Sequence, residues 1–335
     1  MIRIDGSAGE GGGQVLRTAL GLSLVTGRAF QITRIRGQRR KPGLLGQHLT
    51  AVLAAQEIGQ AEVSGAALRS GSLSFRPKSV RGGNYHFSIG TAGSCTLVFQ
   101  AVMPALIRAS GASTIILEGG THNPFAPTFD YLKGAFLPLL EKLGLKAAAE
   151  LERPGFYPAG GGRIRITIEP SVRLAPLQLG RCSNLRLRAR AICAGLPGQI
   201  GRRELKVIQE QLPVSEQDSE LLHYPRYGPG NVVAVYAQSD QLTEIFTGFG
   251  EKRVRAETVA AGVVAEVQQY LDAGVAVGPH LADQLLIPLA LAGAGQLLTC
   301  RPTGHTLTNI RVIRQFLEKE IKLDQLDEQV WQIKV

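Results

Sequence analysis

The sequence predicts an α/β (α+β) fold: a large body of three repeated β-α-β-α-β-β units, with a small α/β segment inserted ahead of the third unit's helices. Three observations carry that prediction. First, three segments look like copies of one another: GEGGGQVLRTALGLSLVTG from Gly9, GTAGSCTLVFQAVMPALIRASG from Gly90 and GPHLADQLLIPLALAGAG from Gly278. Each opens on small residues, passes one or two polar ones and runs into an apolar helical stretch. Second, the copies are unequally spaced, as when one supersecondary unit is used three times with extra chain before the third. Third, 44% hydrophobic and 19% charged residues mark a folded chain, and 335 residues exceed one ordinary core.

The elements follow in order. The first unit reads as a strand at 2–4, a helix at about 14–26, a strand at 30–35, a helix at about 44–58 and strands at 61–68 and 72–76. The second repeats that order with a strand at 85–89, a helix at 94–109, a strand at 113–117, a helix near 127–143, and strands at 145–152 and 163–168. The third unit's first strand falls before the insertion, at 175–179. Its helix at 279–292, strand at 296–300, helix at 306–320 and strand-like tail at 330–335 lie after it. Between them the pattern changes to a strand at 185–192, a helix at 201–212, strands at 232–238 and 242–249, and a long helix at 254–271. Gly/Pro-rich turns punctuate that stretch at 196–198 and 227–230. The large body is therefore expected to comprise 1–180 and 274–335, with repeats at about 1–78, about 80–170 and a third split around an insert at 181–273.

The net charge of +10 is uneven. Residues 1–41 hold eight Arg and Lys against Asp5 and Glu10, and a second cluster comprises Arg181, Arg186, Arg188, Arg190, Arg202 and Arg203. Such an excess favours a polyanionic partner, and arginine suits bidentate phosphate contacts. A solvated surface would carry the same residues. No apolar run approaches the roughly 18–20 residues that span a bilayer, and MIRIDGSAGEGGGQ lacks a basic-then-apolar secretory pattern. A soluble cytoplasmic protein with no membrane partner is expected. Cys95, Cys182, Cys193 and Cys300 form no CxxC pair and read as buried, reduced thiols.

The chemistry concentrates at the helix starts. Glycines 11–13 ahead of a helix can present N–H groups to an anion, or simply make a tight turn. The spacing is neither a Walker A loop nor a dinucleotide fingerprint. Glu10 would repel a phosphate unless a divalent metal stood between them. Arg17 lies one turn after Gln14 on the same helical face. The basic loop at 36–43 runs into a helix with Gln47 and His48 in its first turn, an arrangement suited to a terminal phosphate. His305 stands at a strand-to-helix turn between Gly304 and Thr306, where active-site residues of α/β folds often sit. An imidazole can attack phosphorus and then leave, splitting one displacement into two. No GxSxG nucleophile competes. In the helix opening at His280, Asp283 could cap the helix, orient a histidine or hold a metal.

On these residues the chain resembles the RNA 3′-terminal phosphate cyclase family. The matching segments are EGGGQVLRTALGLS (10–23), RIRGQRRKPGLLGQH (34–48), GTAGSCTLVFQ (90–100), EGGTHNP (118–124), YPAGGG (157–162), HLADQLLIPLALA (280–292) and GHTLTNI (304–310). They run nearly end to end and in order. The resemblance implies the three-repeat body, a thioredoxin-like insert, and ATP as cosubstrate. It implies a nucleophilic histidine, matching His305, that takes AMP from ATP and passes it to an RNA 3′-phosphate. The neighbouring 2′-OH then closes a 2′,3′-cyclic phosphate. By position it implies Gln100, Pro127, His280, Leu281, Ala282, Asp283 and Gln284 for the ATP pocket. Gln14, Arg17, Arg36, Arg39, Gln47 and His48 would hold phosphates or the RNA end, and Glu10 would bind Mg2+ or Mn2+.

Three other classes match less well. A cyclase-like protein of ribosome assembly, which does not adenylylate, would lack the histidine. An enolpyruvyl transferase, built from related repeats, would need other basic and acidic residues. A non-catalytic RNA-binding module would suit the charge, but 6% aromatic residues leave no aromatic-rich strand for stacking bases.

Overall fold

The computed structural model describes residues 1–171 and 173–335; Val172, within the stretch 1–180 assigned to the body, lies outside them. The chain begins with β1 (Ile2–Asp5), α1 (Gly13–Thr26), β2 (Phe30–Thr33), α2 (Gly46–Ile58), β3 (Glu62–Ser64) and β4 (Leu73–Arg76). Next come β5 (Asn84–Ser88), α3 (Cys95–Leu106), β6 (Ser113–Gly119), α4 (Phe129–Tyr131), a π-helical turn (Leu132–Phe136), α5 (Leu137–Lys142), β7 (Ala147–Arg153) and β8 (Gly162–Ile168). After β9 (Leu177–Leu179) follow β10 (Arg186–Ala194), α6 (Gln199–Gln211), β11 (Ser219–Tyr224), β12 (Gly230–Gln238), β13 (Thr243–Phe249) and α7 (Ala256–Ala273). The chain closes with α8 (Pro279–Ala292), β14 (Gly295–Thr299), α9 (Gly304–Phe316), β15 (Lys322–Gln325) and β16 (Trp331–Lys334).

The strands form four mixed sheets, ordered β1-β2-β4-β3, β5-β6-β8-β7, β9-β14-β16-β15 and β11-β10-β12-β13. In each, one edge pair is parallel (β1 with β2, β5 with β6, β9 with β14, β11 with β10) and the remaining pairs are antiparallel. The protein is thus a mixed α/β fold. Along β6 every second residue from Ser113 to Gly119 is buried, so that strand turns one face to α3.

Helix α1 lies at the centre of the main core. From Gln14 to Leu24 every residue but Arg17 is buried, because α2, α3 and α9 surround it. Gly21 makes the closest approach possible: a Cβ there would lie 3.0 Å from both the Ala101 carbonyl oxygen and Pro104 Cγ. Leu16, Val98, Leu285 and Ile313 join this core, while a second cluster packs α6 and α7 on β10 and β12 through Ile208, Val264, Ala191 and Val233. Among the described residues, no helix is long and apolar enough to cross a membrane.

The structure departs from the expected elements at several places, among them the strand expected at 61–68, which spans only Glu62–Ser64. The helix expected near 127–143 is interrupted by the π-helical turn. Pro138 has no N–H to give to the Gly134 carbonyl, and the wider turn absorbs the break. Helix α9 ends at Phe316, short of 320, since Leu317 is already extended. The unexpected strands β11 and β15 are edge strands with little burial, so they lack the apolar alternation that would betray them.

Candidate active site

Three helix starts converge on His305. Thr303 caps α9, its hydroxyl accepting from the Thr306 N–H at 3.2 Å, which sets His305 in the first turn. From α8, Asp283 reaches toward α1 and α9. Asn309 Nδ2 donates to Asp283 Oδ1 at 3.2 Å, and the Thr18 hydroxyl donates to Asn309 Oδ1 at 2.7 Å. Gln14 Nε2 donates to both Asp283 oxygens, at 2.7 and 2.9 Å. That contact turns the other end of the amide, Oε1, to His305 Nδ1 at 2.6 Å.

The order of these bonds decides a tautomer. An amide whose NH2 is committed to a carboxylate can only accept at its oxygen, so His305 Nδ1 carries the proton. Nε2 of the neutral ring therefore keeps its lone pair, and the side chain is 42% exposed. Burial raises the pKa of Asp283, opposed first by the hydrogen bond from Gln14 and then by His305, Asn309 and Arg17. Arg17 is itself pushed down by burial, to about 10, with the charge of Asp283 opposing. Among the described residues it makes no hydrogen bond or ion pair, leaving a poorly solvated cation facing the same space as His305.

The other flank of His305 is more open. Glu10 lies against Gly304, where any Cβ would collide with its carboxylate, and Glu10 Oε2 is 3.9 Å from His305 Nε2. Arg39 approaches the same oxygen at 3.3 Å. The Glu10 N–H donates to the Thr308 hydroxyl at 3.1 Å, which fixes the glycine loop on α9.

A cavity of about 900 Å³ opens beside the relay. That is within the usual size of a small-ligand site. Gln14, Arg17, Gln100, Pro127, His280, Asp283, Gln284 and His305, all singled out in the sequence, line it. Gln100 Nε2 donates to Gln284 Oε1 at 2.5 Å across it. Pro104 and Pro288 lack the N–H groups that would bond the Gln100 and Gln284 carbonyls, so both helix ladders are interrupted at the cavity wall.

The remaining sequence-predicted residues lie elsewhere. Leu281 and Ala282 point into the core. Arg36 donates to its own loop, at the carbonyls of Lys41 (2.5 Å) and Gly43 (3.0 Å). Gln47 Oε1 accepts from the Ser94 N–H at 2.9 Å, at the start of α3. His48 is buried and pushed down to about 3, first by burial and then by Arg17 and Arg36, so it is neutral at pH 7. Glu10, Arg39 and Arg36 form a polar flank outside the cavity rather than its wall.

Sequence reasoning did not single out Thr18, Asn309 or Glu244. Glu244, on β13, is buried in the cavity wall and accepts from the Gly278 N–H at 2.7 Å; burial raises it to about 8. Its signal was present: within TEIFTGF it shares the buried face of the strand with Phe246.

A family model described as RNA 3′-terminal phosphate cyclase matches residues 8–323. The chain belongs to that family. The match takes in His305, Gln14, Asp283 and every other residue placed above. Among solved structures the chain is similar to the enolpyruvyl transferase NikO from Streptomyces tendae, at 10% identity and a TM-score of 0.38. That likeness covers 99% of this chain but only 48% of the other, so the chain spans about half its length, and it carries no argument about function.

Proposed function

We propose that this cyclase-family protein is an active enzyme that uses ATP to convert an RNA 3′-terminal phosphate into a 2′,3′-cyclic phosphate. The observation that carries the reading is the hydrogen-bonded chain from Asp283 through Gln14 to His305. It leaves Nε2 as a nucleophile. Nε2 attacks the α-phosphorus of ATP, and a P–N bond forms as the bond to the β-bridging oxygen breaks and pyrophosphate leaves. The Nδ1 proton stays on the ring. The positive charge that develops is stabilised through Gln14 toward half-buried Asp283.

An oxygen of the RNA 3′-phosphate then attacks the histidine-bound phosphorus, releasing the imidazole and giving RNA-(3′)pp(5′)A. Finally the vicinal 2′-OH loses its proton and attacks the 3′-phosphorus, and AMP departs. A phosphate monoester is a poor electrophile, so adenylylation supplies the leaving group. Arg17 is placed to meet phosphate charge from the cavity side, and Arg39 from the open flank. Arg36 and Gln47 support the reading as residues that hold the basic loop and the α3 start in place.

Among the described residues no group of three or more metal-ligating side chains forms. Glu10 alone suits Mg2+ or Mn2+ arriving on nucleotide phosphates with waters still attached. When bound there, the ion would offset phosphate charge beside Nε2. The body is read as three copies of one unit, at 1–180 and 274–335, with 181–273 inserted. The shared order of the first three sheets supports that reading.

The test is incubation with α-³²P-ATP and a divalent cation, followed by denaturing electrophoresis. An acid-labile, alkali-stable label on the protein, absent in His305→Ala, is expected. No label on folded protein with several cations would favour a cyclase-like protein that does not adenylylate.

A further inference from the structure

Phe125 is 102% exposed and stands at the rim of the cavity. Its backbone has φ +62°, a left-handed conformation that a bulky residue adopts only under strain. Strain of this kind persists where the surroundings impose it, and it concentrates at ligand clamps.

The surroundings here are specific. Phe125 is the apex of Asn123-Pro-Phe-Ala-Pro127, a loop stiffened by a proline near each end. The Asn123 amide donates to the Ala92 carbonyl on one side. On the other, the Pro127 carbonyl accepts from the Thr96 hydroxyl at 2.7 Å. The Phe129 N–H closes the base of the loop on the Thr121 carbonyl at 2.9 Å. Both anchors flank Ser94 at the start of α3, so the loop holds one ring out in water. Nothing in folding favours that arrangement: the hydrophobic effect would bury the ring, and a glycine would relieve the backbone.

We propose that Phe125 is a stacking platform for a base near the 3′ end of the RNA. The proposal rests on the RNA substrate of the reading above. A base has a π-face whatever its identity, so one exposed ring can grip an end without selecting a sequence. Two observations favour the RNA over the adenine of ATP. Tyr131, Phe246 and Phe249 already supply aromatic walls within the cavity. Phe125 differs from the buried Tyr131 and Phe246 in being fully exposed, on a loop tied to Ala92, two residues from the Ser94 N–H that Gln47 holds. Gln47 belongs to the helix that the basic loop enters, which is the flank a polyanionic strand would follow.

The experiment has two arms. In steady-state assays, Phe125→Ala should raise KM for 3′-phosphate RNA about five- to a hundredfold while leaving KM for ATP and self-adenylylation unchanged. Phe125→Trp should restore it and Phe125→Leu should not. In the second arm, RNA oligonucleotides with 2-aminopurine at either of the last two positions are bound without ATP. Quenching at one of these positions, lost in Phe125→Ala, is expected. A rise in KM for ATP instead, no change in either KM, full rescue by leucine, or quenching that survives Phe125→Ala would each overturn the proposal. The arms separate its failure from that of the cyclase reading. Absence of self-adenylylation in the unaltered protein refutes the latter, while the binding arm still decides the former.

Discussion

Two histidines of this protein lean on a half-buried aspartate, and the manner of each contact sets what it can do. His122 meets Asp130 directly, Nε2 to Oδ2 at 2.8 Å, and its Nδ1 faces the Thr121 hydroxyl at 2.8 Å. Its side chain is 1% exposed. Asp130 also accepts from Arg190 at 2.7 Å and from the Tyr236 hydroxyl at 3.1 Å, on β10 and β12. Both ring nitrogens are committed, and the ring stacks on Phe156. His305 touches its aspartate only through Gln14 and keeps one nitrogen open. The first histidine ties the loop after β6 to the sheet of β10 and β12. In the proposed reaction, the second is oriented by one nitrogen so that the other can react. Proximity to a carboxylate is common to both; what separates them is whether a lone pair is left over.

The largest expected effect breaks or upholds that distinction. His305→Ala should lower turnover about 10⁴-fold or more, as loss of a covalent nucleophile does. His122→Ala should keep the AMP label. Labelling lost in folded His122→Ala and kept in His305→Ala would invert the assignment.

A smaller effect tests the relay itself. Gln14→Ala removes the acceptor that fixes the His305 tautomer while leaving the imidazole in place. The rate of self-adenylylation should fall on the order of 10–100-fold, as when the outer partner of a working histidine is removed. An unchanged rate in a single-turnover assay would show that the ring needs no such orientation.

The smallest effect is on stability and belongs to His122. For Asp130, burial acts upward, but the hydrogen bond and charge of His122, then Arg190 and Tyr236, outweigh it and hold the carboxyl at about 2. Its folded pKa thus lies below the ordinary value of 3.8. The stabilisation is fully present above that value and is lost as pH falls toward 2. Asp130→Asn should cost about 1–3 kcal/mol at pH 7, the penalty for leaving buried partners unpaired. The difference from the unaltered protein should shrink between pH 4 and pH 2 in urea unfolding. A constant difference across that window would remove the ion pair from the account.

Much of the site was legible because α8 has a phase. His280, Asp283, Gln284 and Ile287 line the cavity at helical spacing, while Leu281, Ala282, Leu285 and Leu286 between them enter the core. Reading that phase would have removed Leu281 and Ala282 from the expected ATP pocket. Arg36 and His48 were harder, because nothing local says that one guanidinium turns back on its own loop or that burial keeps one imidazole neutral.

What the sequence determined by itself is what local forces decide: the apolar periodicity of α1, α3 and α8, the glycines before them, and a histidine at a strand-to-helix turn. Only the tertiary structure decided which side chains act together. Gln14 meets residues 269 and 291 positions away in Asp283 and His305, and Glu244 enters the cavity wall from a separate sheet. The physical reason is range: a helix forms from contacts three and four residues apart, whereas a hydrogen-bond relay needs three helix starts brought to one point, and the packing of α9 against both α1 and α8 brings them there.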